Sequence, residues 1–228
     1  MADDARTEGA PPGSPRSQTR VILTASAAFG LAYLFDGLGL EVPYPLDVVI
    51  KAAGIVLLGV YALVRRKLVL AAGLMLGALG DVLLALQPAR VGLGIGAFGL
   101  GHLVYVALFV GVWRREGSRG AVGWVGVGAL ALFGLAMLIY LQPHFGDLRV
   151  AASIYNGVII VMACLALAGR APTLAWVGAL LFVVSDTLLA LRMFAGLIAG
   201  AGPLVWLSYY LGQAGLALGL GQEPRDAT

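Results

Sequence analysis

Charge is what this chain has least of: Asp, Glu, Lys and Arg make up 12% of its 228 residues, against 60% hydrophobic. With a mean hydropathy of +0.93, too little polar surface is left to coat a soluble domain, so the composition predicts an integral membrane protein. Cysteine is almost missing as well. The single Cys164 excludes an intrachain disulfide, leaves the redox character of its compartment open, and reads as a small buried hydrophobe. Only two histidines occur, His102 and His144, and neither belongs to a His-Glu-x-x-His pattern. A zinc site is therefore disfavoured, and no metal or organic cofactor is expected. Phosphate-cradling Gly-Lys loops and basic motifs interleaved with aromatics are missing too, so no nucleic-acid partner is expected.

What is there is a succession of long apolar runs. The first twenty residues, rich in Pro, Gly, Ser and mixed charge, cannot bury enough apolar area to fold and are expected to form a disordered cytoplasmic tail without a secretory signal. From there the chain divides into eight runs of the length a bilayer core demands: Val21 to Leu40, Leu46 to Val64, Leu68 to Leu86, Val91 to Trp113, Ala121 to Leu141, Leu148 to Leu167, Leu174 to Phe194 and Leu204 to Leu220. Pro43, Pro45, Pro88, Pro143, Pro172 and Pro203 fall between runs, where a missing N–H does least harm. The expectation is an all-α membrane domain of eight transmembrane helices over residues 21–221, with short loops, sequence neighbours adjacent in space, and a short cytoplasmic tail at 222–228.

Basic residues orient the bundle, because positively charged loops are retained on the cytoplasmic side. Arg6, Arg16, Arg20, Arg65, Arg66, Lys67, Arg114, Arg115, Arg119, Arg170 and Arg225 fall on one side, and only Arg90, Arg149 and Arg192 on the other. Both termini are thus expected in the cytoplasm, in the inner membrane if the source is bacterial, and the net charge of +3 reflects topology. Glycines four apart, Gly73 and Gly77, Gly92 and Gly96, and Gly215 and Gly219, predict faces that let helices approach closely.

Two carboxylates stand out against this background. Asp81-Val-Leu-Leu-Ala-Leu86 and Asp186-Thr-Leu-Leu-Ala-Leu191 carry the same signature deep in two apolar runs. An ionisable group at membrane depth costs at least about 2.5 kcal/mol even on lenient scales, so it ordinarily faces a cavity or a partner and marks function. The 105-residue offset between the aspartates also maps Lys51 onto Asn156 and Tyr105 onto Tyr210. Because each half holds an even number of helices, this predicts two parallel four-helix repeats about an axis along the membrane normal, with both aspartates at one depth in the non-cytoplasmic half.

The other polar residues inside the runs have two readings each. Lys51 can neutralise an aspartate, bind a phosphate, or snorkel to the interface. His102 is either a proton relay or a hydrogen-bonded packing residue, with packing the preferred reading. Tyr105, Tyr155, Asn156, Ser185, Tyr209, Tyr210 and Gln213 can orient carboxylates, water or a headgroup; interfacial anchoring is the alternative, stronger for Tyr209 than for Tyr210. Asp36, Glu41 and Asp47, near the ends of runs, read as solvated. Arg90, Arg149 and Arg192 read first as interfacial anchors, although a phosphate arriving from the aspartate side would meet them.

Several motifs in order resemble the YhhN-like lysoplasmalogenases: Lys51; Gly80-Asp81 with Leu83-Leu84; Phe98-Gly-Leu-Gly-His102-Leu-Val-Tyr105; Tyr155; Gly178-Ala-Leu-Leu-Phe-Val-Val-Ser185-Asp186 with Leu189-Ala190; and Tyr209-Tyr210-Leu-Gly-Gln213. The resemblance covers most of the membrane region and leaves out residues 1–20 and those after Gly221. It implies a multi-pass membrane hydrolase that cleaves the vinyl ether of a lysophospholipid to a fatty aldehyde and a glycerophospho-alcohol. Lipids are then its expected partners, and its oligomeric state is left open. Such a reaction needs a proton delivered to the β-carbon and water added to the resulting oxocarbenium ion, work that paired carboxylates can divide. Asp81 and Asp186 are the expected pair, without assignment of acid and base. A proton-coupled carrier is the non-enzyme alternative. An intramembrane aspartyl protease ranks lower, since Gly80-Asp81 lacks the Gly-x-Gly-Asp arrangement and Ser185-Asp186 the Tyr-Asp of those enzymes.

Overall fold

The computed structural model describes residues 15–40 and 42–222, which form eight α-helices and, among the described residues, no strand. These are α1 (Pro15–Gly37), α2 (Leu46–Val64), α3 (Leu68–Ala85), α4 (Val91–Glu116), α5 (Ala121–Leu141), α6 (Arg149–Ala168), α7 (Thr173–Met193) and α8 (Gly202–Leu220). The first helix starts inside the segment expected to be unstructured, six residues before Val21. Pro15 at its first position explains part of this, because a fixed φ suits the first turn and the missing N–H has no intrahelical acceptor there in any case. Residues 1–14, Glu41 and 223–228, with Arg6 and Arg225, lie outside the described residues.

Among the described residues six helices, α2 to α7, are long and apolar enough to cross a membrane, which makes the protein an integral multi-pass membrane protein. All eight expected runs form helices, and α1 and α8 are less apolar than the other six. α8 falls short because Ser208, Tyr209, Tyr210 and Gln213 crowd its middle, and α1 because its ends carry Arg16, Arg20 and Asp36. Proline punctuates as expected: Pro45 and Pro172 precede the first residues of α2 and α7, and Pro203 lies in the first turn of α8. Between α4 and α5, Gly117 and Gly120 both take φ of +79°, a region open to glycine at little cost. The resulting turn is clipped to the end of α6, with the Arg119 amide donating to Ala168 O at 2.8 Å and the Arg119 guanidinium to Ala171 O at 2.9 Å.

Helices α1 to α4 pack in chain order, and so do α5 to α8. The chain departs from simple neighbour packing at α4, which lies along α6 rather than α5. α8 returns to meet α2, α1 and α3, so the bundle closes and α5 remains at its margin. Two glycines allow close approaches near the cavity. A Cβ at Gly178 of α7 would lie 2.7 Å from the Gly212 carbonyl oxygen of α8, and a Cβ at Gly77 of α3 would collide with the Gln213 amide and stand 3.3 Å from the Tyr209 hydroxyl. Gly96, by contrast, faces open space, so the Gly92/Gly96 pair is not a tight packing face.

Candidate functional site

Asp81 lies four residues before the end of α3 and Asp186 seven before the end of α7, so both carboxylates belong to the same end of the bundle. At that end α2 and α8 begin, which brings Asp47, Lys51, Val205, Trp206 and Tyr209 to the same level. Together with Tyr33 of α1 and Phe98 of α4, these side chains enclose a cavity of about 440 Å³ with both aspartates on its wall. A second, narrower space of about 90 Å³ adjoins it among α4, α5, α6 and α7. Its lining is mainly apolar, with Ile95, Phe133, Met137, Phe145 and Phe194 among the contributors. Leu84, Phe98, Asp186, Leu189 and Met193 border both spaces, so Asp186 stands where the polar cavity meets the apolar cleft.

The two carboxylates are held differently. Asp81 is buried, pairs through Oδ1 with Lys51 Nζ at 3.3 Å, and accepts a hydrogen bond on Oδ2 from the Tyr209 hydroxyl at 2.6 Å. Removing either cation or anion from so enclosed a pair would strand the other charge. Lys51 also lies 5.6 Å from the centre of the Tyr33 ring and 5.9 Å from that of Trp206. Those two rings meet edge to face at 4.6 Å, so the ammonium sits against aromatic faces as well as a carboxylate. Asp186 has no ion-pair partner among the described residues and accepts a hydrogen bond from the Tyr155 hydroxyl of α6.

Behind Tyr209 the polar contacts continue into the core. The Gln213 amide, one turn further along α8, donates to the Tyr209 oxygen at 3.2 Å, and the Tyr105 hydroxyl of α4 donates to Gln213 Oε1 at 2.7 Å. Tyr105, Gln213, Tyr209 and Asp81 thus form one buried chain across three helices, each group using the donor the next can accept. His102 is fully buried with Nδ1 2.6 Å from the Phe98 carbonyl oxygen and Nε2 unpartnered. Its ring packs edge to face on Phe182 at 4.4 Å and Tyr155 at 5.4 Å, so it lies behind Tyr155 of the cleft and Phe98, which borders both spaces, and lines neither space itself.

Not all the polar residues singled out in the sequence converge here. Tyr210 points away: its hydroxyl is 2.9 Å from Ser26 Oγ, which itself donates to Gly54 O at 2.7 Å, tying α8 to α1 and α2. The relative readings of the two tyrosines are therefore reversed, with Tyr209 at the carboxylate and Tyr210 in helix packing. Ser185 borders the cavity but spends its hydroxyl on Val205 O at 2.9 Å. Asn156 lines the apolar cleft and donates to Gly134 O at 3.3 Å. Asp47, read from sequence as solvated, lines the polar cavity with Oδ1 buried and unpartnered. Its position in the first turn of α2 made it look like a span end; the i to i+4 spacing to Lys51 was the overlooked signal, since it puts both on one helix face.

Comparison with known proteins agrees with the family resemblance. The chain is 34% identical over 153 residues to a lysoplasmalogenase of Mycobacterium bovis, covering 64% of this chain and 57% of that protein. It is 34% identical over 152 residues to the lysoplasmalogenase TMEM86B of Sus scrofa, covering 67% and 63%. A UPF0060 membrane protein of Halalkalibacterium halodurans is 36% identical over 95 residues, 40% of this chain and 80% of that one. The chain therefore spans about three fifths of the length of the two lysoplasmalogenases. No solved structure matches it at a significant level. The model of the YhhN family matches residues 46–220, which takes in α2 to α8 and every residue of the cavity except Tyr33, and the chain belongs to that family.

Proposed function

We propose that the protein is a lysoplasmalogenase-like hydrolase, cleaving the vinyl ether of a lysophospholipid with Asp81 and Asp186 as its acid-base pair. One observation carries this reading: two carboxylates share a polar cavity, and one of them also borders an apolar cleft. A vinyl ether lysolipid has the matching division, with a polar glycerophospho end, a hydrocarbon tail, and the reactive double bond at their junction. The cleft takes the carbons next to the double bond, leaving the rest of the chain to lipid. Relatives named as lysoplasmalogenases support the same reaction class.

Asp186, at the junction and without a cation partner, is the acid that delivers its proton to the β-carbon. Asp81, charged against Lys51, stabilises the oxocarbenium ion and takes a proton from the attacking water. Water's oxygen bonds to the cationic carbon. The hemiacetal C–O bond to glycerol then breaks: Asp81 gives its proton to the departing glycerol oxygen and the hemiacetal hydroxyl gives its proton to Asp186, releasing a fatty aldehyde and a glycerophospho-alcohol and restoring both carboxyl groups to their starting states. Tyr209 and Tyr155 hold the two carboxylates by hydrogen bonds, and the Gln213 and Tyr105 contacts hold Tyr209 in turn.

The topology in this reading has α1 and α8 crossing the membrane with the other six, as two parallel repeats with both termini cytoplasmic. The matching order of packing within α1 to α4 and α5 to α8, and the return of α8 to α2 as α4 goes to α6, support it. The site would then open toward the non-cytoplasmic leaflet. Purified protein should release aldehyde from an alkenyl lysophospholipid and nothing from its saturated ether or acyl counterparts. Free fatty acid from the acyl lipid would instead indicate an esterase, and accumulation of unchanged lipid in sealed vesicles would indicate a carrier.

A further inference from the structure

We propose that Asp47 and Arg192 form the headgroup site of the cavity, taking the ammonium and the phosphate of a zwitterionic phospho-amine. The inference rests on the reading of the cavity as a lysophospholipid site and adds the residues that select its headgroup. Both side chains line the cavity that holds the aspartates. Lys51, one turn beyond Asp47 on the same face of α2, would be the natural partner of its carboxylate, but its ammonium is 3.3 Å from Asp81 instead. Asp47 is left with a buried oxygen that accepts no hydrogen bond and with no ion pair among the described residues. Buried carboxylate oxygens without donors are costly and rare, and a ligand cation is one way to satisfy them.

Arg192 supplies the opposite charge. It is the penultimate residue of α7, exposed at the cavity mouth, and its guanidinium reaches the start of α8, where a Cβ at Gly202 would lie 3.2 Å from Nη1. It forms no ion pair with Asp47 or with any other described residue, which leaves a planar pair of donors for phosphate oxygens. Two unpaired charges of opposite sign in one cavity are complementary to a zwitterion and less so to an anion alone, which Asp47 would repel. Headgroup capture at this mouth would put the hydrophobic tail toward the cleft and the linkage between them beside Asp186.

Binding of saturated ether lipids tests this without relying on turnover. The probes are an alkyl lysophosphatidylethanolamine, the alkyl glycerophosphate lacking the amine, and the alkylglycerol lacking both. Unaltered protein should bind the first at least about tenfold more tightly than the second. Asp47→Asn should abolish that preference, and Arg192→Gln should weaken both phosphate lipids several-fold without affecting the alkylglycerol. Equal binding of the first two by unaltered protein, or an equal loss for both in Asp47→Asn, would overturn the proposal. The first comparison needs no variant to fold. If the amine preference holds and depends on Asp47, yet alkenyl lipids yield no aldehyde, the headgroup site stands and the hydrolase reading fails. If none of the three lipids binds, both fail.

Discussion

Tyr209 and Asp81, 128 positions apart, are joined by a 2.6 Å hydrogen bond from the phenol to carboxylate Oδ2. The contact exists because Gly77, one turn before Asp81, has no side chain to keep α8 away from α3. Removing the phenol leaves a buried carboxylate oxygen without its donor and Gln213 without its acceptor, at a cost of about 1–3 kcal/mol. Tyr209→Phe should lower both thermal stability and the rate of aldehyde release. Tyr210→Phe should reduce the rate little, because Ser26 keeps its bond to Gly54 O. Equal rate losses for the two would separate Tyr209 from the chemistry.

Asp81→Asn and Asp186→Asn preserve side-chain size while ending proton exchange. Each should reduce kcat by roughly 100- to 10,000-fold, the usual contribution of a positioned acid or base. In the proposed mechanism the two act in one reaction, so the double variant should be scarcely slower than the worse single. Either variant retaining near-normal turnover in purified form would remove that aspartate from the mechanism.

Lys51→Met strands Asp81 in an enclosed site. A loss of about 3–5 kcal/mol, read as a large fall in the unfolding midpoint in detergent, is expected from breaking one side of such a pair. Adding Asp81→Asn to Lys51→Met should restore most of the stability and none of the activity. A double variant no more stable than Lys51→Met would mean that the lysine stabilises the fold through the Tyr33 and Trp206 rings rather than through the carboxylate.

The pH profile of kcat/KM should be bell-shaped. Rate falls on the acid side as the base takes up a proton and on the alkaline side as the acid loses one. Because both carboxylates border one cavity, the two apparent values belong to the pair. A profile with a single limb would indicate that only one group titrates in the reaction.

The glycines separate packing from chance spacing. Gly77→Ala should push Gln213 and Tyr209 off Asp81 and lower activity, and Gly178→Ala should cost about 1–3 kcal/mol by forcing α7 from the α8 backbone. Gly96→Ala, facing open space, should be silent in both assays.

The class of the protein and the position of its helices were legible in the linear chain, because a bilayer demands long apolar runs and proline stops show where they break. Asp81 and Asp186 were legible for a related reason: against 60% hydrophobic residues, any carboxylate within a run is conspicuous. Lys51 stood out in the same way. What the sequence could not decide was direction around each helix axis. Tyr209 and Tyr210 are adjacent and chemically identical, yet they point about 100° apart, a rotation of one residue on a 3.6-residue turn. Which of them meets Asp81 depends on how α8 seats between α2 and α3, and the close α7–α8 approach at Gly178 and Gly212 sets that seating. Asp47 was missed for the same reason. Its closeness to the span end suggested water, and only the convergence of α2, α7 and α8 at one end of the bundle makes it a wall of the cavity.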